Sequence, residues 1–186
     1  MIRIAALMAA AAILTGASVA GTDVKLPPFS AIDVHGGGEV KLSYGPVQRV
    51  TVIKGDTKVA QILVKGQTLE LSPCSGVCWG SHDLVVEVVL PNLDAVDIHG
   101  GGNVTAQGTF PQQPHLNAEV HGGGEADLRA IPFESVNAEV HGGGSLRVKA
   151  LNTLNAQVHG GGDVTYVGHP AHIASQTHGG GTINGE

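Results

Sequence analysis

The chain is short of aromatic side chains and of positive charge, and each shortage closes off a class of protein. With three Phe, two Tyr and one Trp in 186 residues, a wide core cannot be filled, so the interior has to be narrow and lined by small aliphatics. Lys and Arg number 10 against 16 Asp and Glu, which makes nucleic acid a poor partner because phosphate binding rests on clustered positive charge. Long apolar runs are missing too. The longest, from Ile4 to Leu14, falls short of the ~20 residues a membrane-spanning helix needs, so no transmembrane span is expected in the mature chain. Arg3 precedes that run and the small residues Ser18 and Ala20 follow it, the layout of a cleavable secretory signal over residues 1–20. Cleavage is expected after Ala20, and no Cys follows there to carry a lipid anchor. Losing Arg3 with the signal takes the 10 Lys and Arg to 9 against 16 acids, a net charge of −7. Residues 21–186 lack helical periodicity, and their length suits one domain.

What the chain has instead is glycine, 28 residues of it, set in a recurring phrase. His followed by three Gly occurs six times, beginning at His35, His99, His121, His141, His159 and His178. From His99 onward the intervals are 22, 20, 18 and 19 residues, the length of one coil of a stacked repeat and too short for a helix pair or a propeller blade. The residue before the His is Val34, Ile98, Val120, Val140, Val158 or Thr177, and the one before that is Asp33, Asp97, Glu119, Glu139, Gln157 or Gln176. Beyond the glycines a polar residue precedes an apolar one: Val40, Val104, Ala126, Leu146, Val164 and Ile183. Alternation with period two on both sides of the glycines predicts strand, bend, strand in every copy. Neither strand can bury its apolar side alone. Stacking coil on coil at about 4.8 Å solves that, so the expected fold is all-β, a parallel β-helix or β-solenoid of roughly 20-residue coils with Gly-rich bends.

Residues 93–186 are expected to form the regular coils and residues 29–92 a less regular N-terminal part. His35 and His99 are 64 residues apart, about three coils at the later period. Two coils that lost the His are therefore expected between them, with Lys54-Gly55-Asp56 as a remnant bend; a small sheet capping the stack is the other reading. The segments Phe29-Ser30-Ala31-Ile32, 50–56, 68–71, 85–91 and 93–104 follow the order found in the family called the putative auto-transporter adhesin head GIN domain, which the chain resembles over nearly all of residues 21–186. The resemblance implies a strand-only, β-helical fold in secreted or envelope proteins of bacteria, with an adhesin role proposed for the family. The chain departs from that pattern in carrying His and three Gly where relatives have a small polar residue and Gly-Ser-Gly or Gly-Ala-Gly, and in the Cys74 to Cys78 loop, which looks inserted.

The His alternates with the apolar residue before it, so it belongs to the outward set, and six equivalent imidazoles form an exposed ladder with an acid or amide ladder beside it. One reading makes this ladder a stack that shields the bends and recurs because the repeats were duplicated. Another makes it a site for a divalent metal, with His99, His121, His141, His159 and His178 as ligands together with Glu119, Glu139 or Asp97; zinc, copper or nickel suits that donor set. A third is a response to pH, since protonating neighbouring imidazoles places like charges side by side, and loosening below roughly pH 6 is then expected. Cys74 and Cys78 are an even pair in a short Gly-containing loop of a secreted chain, most simply a disulfide; with His82 they could instead hold copper or zinc. Two enzyme-like phrases are set aside. His-Gly-Gly-Gly and Gly76-Val77-Cys78-Trp79-Gly80 resemble an oxyanion loop and a nucleophile elbow, but those need a strand-to-helix turn and one copy of the loop. Glu119, Glu139 and Asp163 offer carboxylates for sugar cleavage, yet no pair stands out. The expected function is a non-catalytic binding or structural module of the envelope, with an envelope or glycan ligand. The last, shortened copy over residues 173–186 is either a frayed cap or an edge able to pair with another chain.

Overall fold

A computed structural model describes residues 21–74 and 83–186. The signal segment, Cys78, the Gly76-to-Gly80 phrase and His82 lie outside the described residues, and with them the expected secretory signal, the Cys74–Cys78 pairing and the Cys-Cys-His site. Among the described residues every regular element is a strand, and no helix is long and apolar enough to cross a membrane.

Fifteen strands form one curled, mixed sheet. In chain order they are β1 (Thr22–Val24), β2 (Ala31–Gly36), β3 (Glu39–Tyr44), β4 (Arg49–Lys54), β5 (Gln61–Lys65), β6 (Thr68–Ser72), β7 (Val85–Leu90) and β8 (Ala95–Gly100). They continue as β9 (Asn103–Gln107), β10 (Gln113–Gly122), β11 (Glu125–Gly142), β12 (Ser145–Gly160), β13 (Asp163–Val167), β14 (His172–Gly179) and β15 (Thr182–Gly185). Two parallel ladders run side by side, joined by the glycine bends. Before the bends, β6, β2, β8, β10 and the C-terminal parts of β11 and β12 pair in that order, and β14 closes the row. After the bends, β7, β3, β9, the N-terminal parts of β11 and β12, β13 and β15 pair likewise. Parallel pairing in unbroken register is what lets identical columns stack: His99 is opposite His121, His121 opposite His141, and His141 opposite His159.

The alternation in sequence becomes alternation in burial. Val34, Ile98, Val120, Val140 and Val158 form one fully inward column, and Val40, Val104, Ala126, Leu146 and Val164 another, both at 2% exposure or less. All belong to a single core cluster. β11 adds a third side that its sequence does not advertise. Its inward residues are Ala126 and Leu128, then Ile131 and Phe133, then Val136, Ala138 and Val140. The parity slips at 129–130 and again at 134–135, and pairing with β12 shifts register at the same places. Each slip turns the chain a corner, so that residues on a new side again point at the same core.

The expected pair of coils between His35 and His99 is not there, because β2 pairs directly with β8 and His35 lies opposite His99. The intervening chain instead doubles back. Strands β6 and β7 stack on the far side of β2 and β3, while β4 and β1 on one side and β5 on the other add antiparallel strands outside them. Lys54-Gly55-Asp56 thus ends an antiparallel strand and is no remnant bend. These strands belong to the same sheet as the rest of the chain.

Candidate functional site: the histidine ladder

The bend is built around the first glycine of each triplet. Gly100, Gly122, Gly142, Gly160 and Gly179 have φ between 111° and 131°, a region that essentially only Gly occupies. Each bend is tied to the one before it by backbone hydrogen bonds, as from the Gly143 N–H to the Gly122 carbonyl and from the Gly161 N–H to the Gly142 carbonyl, both 2.9 Å. A bend fixed in this way fixes the residue before it. The six imidazoles consequently form a continuous stack, with ring centroids 5.0, 4.9, 4.8, 4.9 and 5.1 Å apart from His35 to His178 and planes within 13° of parallel.

Two residues upstream runs a second column on the same outward side. Glu70, Asp33, Asp97, Glu119 and Glu139 stand in register, followed by Gln157 and Gln176. Glu70 was not recognisable from the repeat, because β6 carries no His-Gly-Gly-Gly phrase and joins the column through its pairing with β2. Carboxylates one strand spacing apart repel, and most of them find a cation or an imidazole. Lys65 Nζ lies 2.7 Å from Glu70, and Nε2 of His35, His121 and His141 lies 2.9, 3.2 and 3.5 Å from Asp33, Glu119 and Glu139 respectively. Asp97 is the exception, and its neighbour His99 turns Nε2 toward Asp33 Oδ1 at 3.8 Å. That Oδ1 is buried and accepts no hydrogen bond.

Burial, first, and then the carboxylates of Glu119 and Asp33 on either side raise the Asp97 pKa, against a smaller opposing pull from His99 and His121. A carboxylate with a raised folded pKa binds protons in the folded state that the unfolded chain has already lost. Its ionisation therefore costs stability at all pH values above the folded pKa, and the cost disappears as pH falls toward the unfolded value. Asp97→Asn is accordingly expected to raise the urea midpoint at pH 7 and to leave it unchanged near pH 3. A lower midpoint at pH 7 would mean that the carboxylate makes a contact worth more than its burial.

The structure brings together every histidine expected in the ladder, with Glu119 and Glu139 beside them, but arranges the rings face to face. One ion bound by two imidazoles at about 2.1 Å needs their nitrogens within about 4.2 Å, whereas near-parallel rings spaced 4.8 to 5.1 Å meet that only by tilting. Among the described residues no group of three or more His, Cys, Asp or Glu side chains is placed to hold a metal ion. A feature missed in the sequence lies one column further out, where Asn117, Asn137 and Asn155 stand in register and Ala174 takes the next place. The signal was present as an Asn four residues before three of the six His.

No curated protein matches the chain. Among solved structures, a protein from Bacteroides fragilis described as a putative adhesin superimposes with a TM-score of 0.55 at 17% identity, covering 92% of this chain and 98% of that one. Another so described, from Parabacteroides distasonis, gives 0.49 at 15% identity over 90% and 96% of the two chains. The first of these supports the all-β fold. The model of the family described as "Putative auto-transporter adhesin, head GIN domain" matches residues 28–115 and 112–170, most of the described chain, and the protein belongs to that family.

Proposed function

We propose that the protein is a non-catalytic binding or structural module of the bacterial cell envelope, adhesin-like in character, secreted behind a signal at residues 1–20 and folded over residues 21–186 as one parallel β-solenoid domain. The observation that carries this reading is the exposed side of the first ladder, where acid, amide and imidazole columns repeat in register over a close-packed core. Such a surface offers many equivalent polar contacts and no isolated reactive group, which suits attachment to a repetitive partner better than chemistry on a small one. Membership of the adhesin family and the location usual for adhesins support it.

A divalent metal-binding protein is the second reading, with zinc, copper or nickel held by His99, His121, His141, His159 and His178 together with Glu119 and Glu139. One observation favours it: the buried Oδ1 of Asp33 accepts no hydrogen bond and lies 3.8 Å from His99 Nε2, where a cation would satisfy it. The two readings separate cleanly. An adhesive module adsorbs to bacterial or host envelope fractions whether or not a chelator is present. A metal site instead gives calorimetric heats with zinc, copper or nickel, at micromolar affinity or better, that the combined His121→Ser, His141→Ser, His159→Ser variant loses. Absence of adsorption to any fraction would sink the first reading.

A further inference from the structure

The outward side changes character over its last two coils. The acid column ends at Glu139 and continues as Gln157 and Gln176, while the Asn column ends at Asn155 and continues as Ala174. Where the small side chain follows the long ones a shallow hollow of about 150 Å³ opens, lined by Asn137, Asn155, Ala156, Gln157, Ala174 and Gln176. Four amides thus face one space with no carboxylate in its lining. Asn137 is partly engaged, since its Nδ2 donates to Glu139 Oε1 at 3.4 Å. The side chains of Asn155, Gln157 and Gln176 make no hydrogen bond to another described residue.

We propose that this hollow binds one neutral sugar unit of a glycan, an assignment that rests on the adhesive reading and gives it a ligand class. Each amide presents two N–H donors and a carbonyl acceptor, and each sugar hydroxyl is both donor and acceptor, so adjacent hydroxyls pair bidentately with an amide in either sense. Asn155, Gln157 and Gln176 stand at three corners of a rectangle whose fourth corner is Ala174, about 4.8 Å between strands and about 6.6 Å along them, the footprint of one sugar ring with its substituents, and Asn137 stands one strand further on beside Asn155. The volume agrees, being well under the roughly 300–1,000 Å³ of a drug-sized site. Charge decides against a cation. In these two coils the column has traded carboxylate for amide, so a positive ligand would be drawn instead toward Glu139 and Glu119. No aromatic ring lines the hollow to stack on a sugar face, so affinity rests on hydrogen bonds and a dissociation constant of roughly millimolar is expected.

The test is a titration of the ¹⁵N-labelled protein with the methyl glycosides of glucose, galactose, mannose and N-acetylglucosamine, read at the side-chain NH₂ resonances, with glycerol as the control polyol. The expected result is a saturable shift of the Asn155, Gln157 and Gln176 signals with at least one glycoside and none with glycerol. Gln157→Ala combined with Gln176→Ala weakens it by about tenfold or more, and Ala174→Leu, an exposed position whose enlargement fills the hollow, removes it. Asn117→Ala, outside the hollow, leaves it unchanged. Absence of shifts with all four glycosides, or shifts that survive Ala174→Leu in a protein with a native spectrum, overturns the proposal. Adsorption of the same variants to envelope fractions keeps the two readings apart. If Ala174→Leu adsorbs as the parent does, the hollow is excluded while the adhesive reading stands; if the parent itself does not adsorb, the adhesive reading falls, and the glycoside titration still decides for or against the hollow.

Discussion

Gly142→Ala lowers the stability of the protein by about 2–6 kcal/mol, while Gly143→Ala, one residue on, leaves it unchanged or slightly higher. The contrast follows from where a Cβ would go. At Gly142 φ is 122°, and an added Cβ would lie 2.7 Å from the Gly122 carbonyl oxygen and 3.2 Å from its Cα. Those atoms cannot retreat, because the Gly122 carbonyl is the acceptor of the Gly143 N–H at 2.9 Å. A non-Gly residue in that region costs about 1–3 kcal/mol in backbone strain, and overpacking against fixed neighbours adds about 1–3 kcal/mol. Against a total stability of about 5–15 kcal/mol, that is enough to unfold a marginal protein. The middle glycine is different. Nothing stands within 4 Å of a Cβ at Gly143, so alanine there mainly restricts the unfolded chain, which favours folding by about 0.4–1 kcal/mol. Urea unfolding of the two variants beside the parent checks this. Equal midpoints for Gly142→Ala and Gly143→Ala would mean that the bend is looser than its hydrogen bonds imply.

That difference inside one triplet also marks how far the sequence could be read. Three consecutive glycines announce a bend, and six copies announce that the bends stack. They do not say which glycine is obligatory, because that depends on the carbonyl of the neighbouring bend. Gly144 makes the point from the other side: its φ lies outside the glycine region, yet a Cβ there would meet Val120 Cγ1 at 2.5 Å and the Gly124 carbonyl oxygen at 2.6 Å. The outward position of the histidines was legible from alternation alone, since a residue beside a buried Val on a strand must face away from the core. Their order in space was not. A repeat period counts residues along the chain, and the 64-residue gap before His99 holds strands that return to the far side of β2 and β3. The third side was hidden for another reason. Its inward pair, Ile131 and Phe133, is too short to show a period, and Pro132 between them is a residue that usually argues against a strand. The amide hollow depends on a single replacement, Ala174 for Asn, whose effect appears only when the Asn column is seen edge to edge.

Phe133→Ala is expected to cost about 3–5 kcal/mol, the largest loss from removing any one core side chain among the described residues. The scarcity of aromatics gives this position its weight. Phe133 is fully buried, whereas Phe29 and Phe110 remain 5% and 4% exposed. It sits on the short third side of β11, opposite Gln113 on one neighbouring strand and Ala150 on the other. Neither neighbour can close the void. Ala150 is too small to reach across, and Gln113, itself 4% exposed, is held by donation from its Nε2 to the Pro91 carbonyl at 3.3 Å. Moving the Gln113 amide into an apolar cavity would break that bond and bury a polar group without a partner, which costs about 1–3 kcal/mol in its turn. The cavity therefore stays open, and open cavities are the upper end of the large-to-small series. Because β11 hydrogen-bonds to β10 and β9 on one side and to β12 on the other, the loss weakens strand pairing on both of its sides rather than one. Urea unfolding should show a midpoint lowered in proportion, and Phe133→Leu, which keeps most of the volume, a smaller fall. A Phe133→Ala stability within about 1 kcal/mol of the parent would mean that the strands can slide to close the gap, and that the in-register columns, the histidine ladder among them, are not held as rigidly as their hydrogen bonds require.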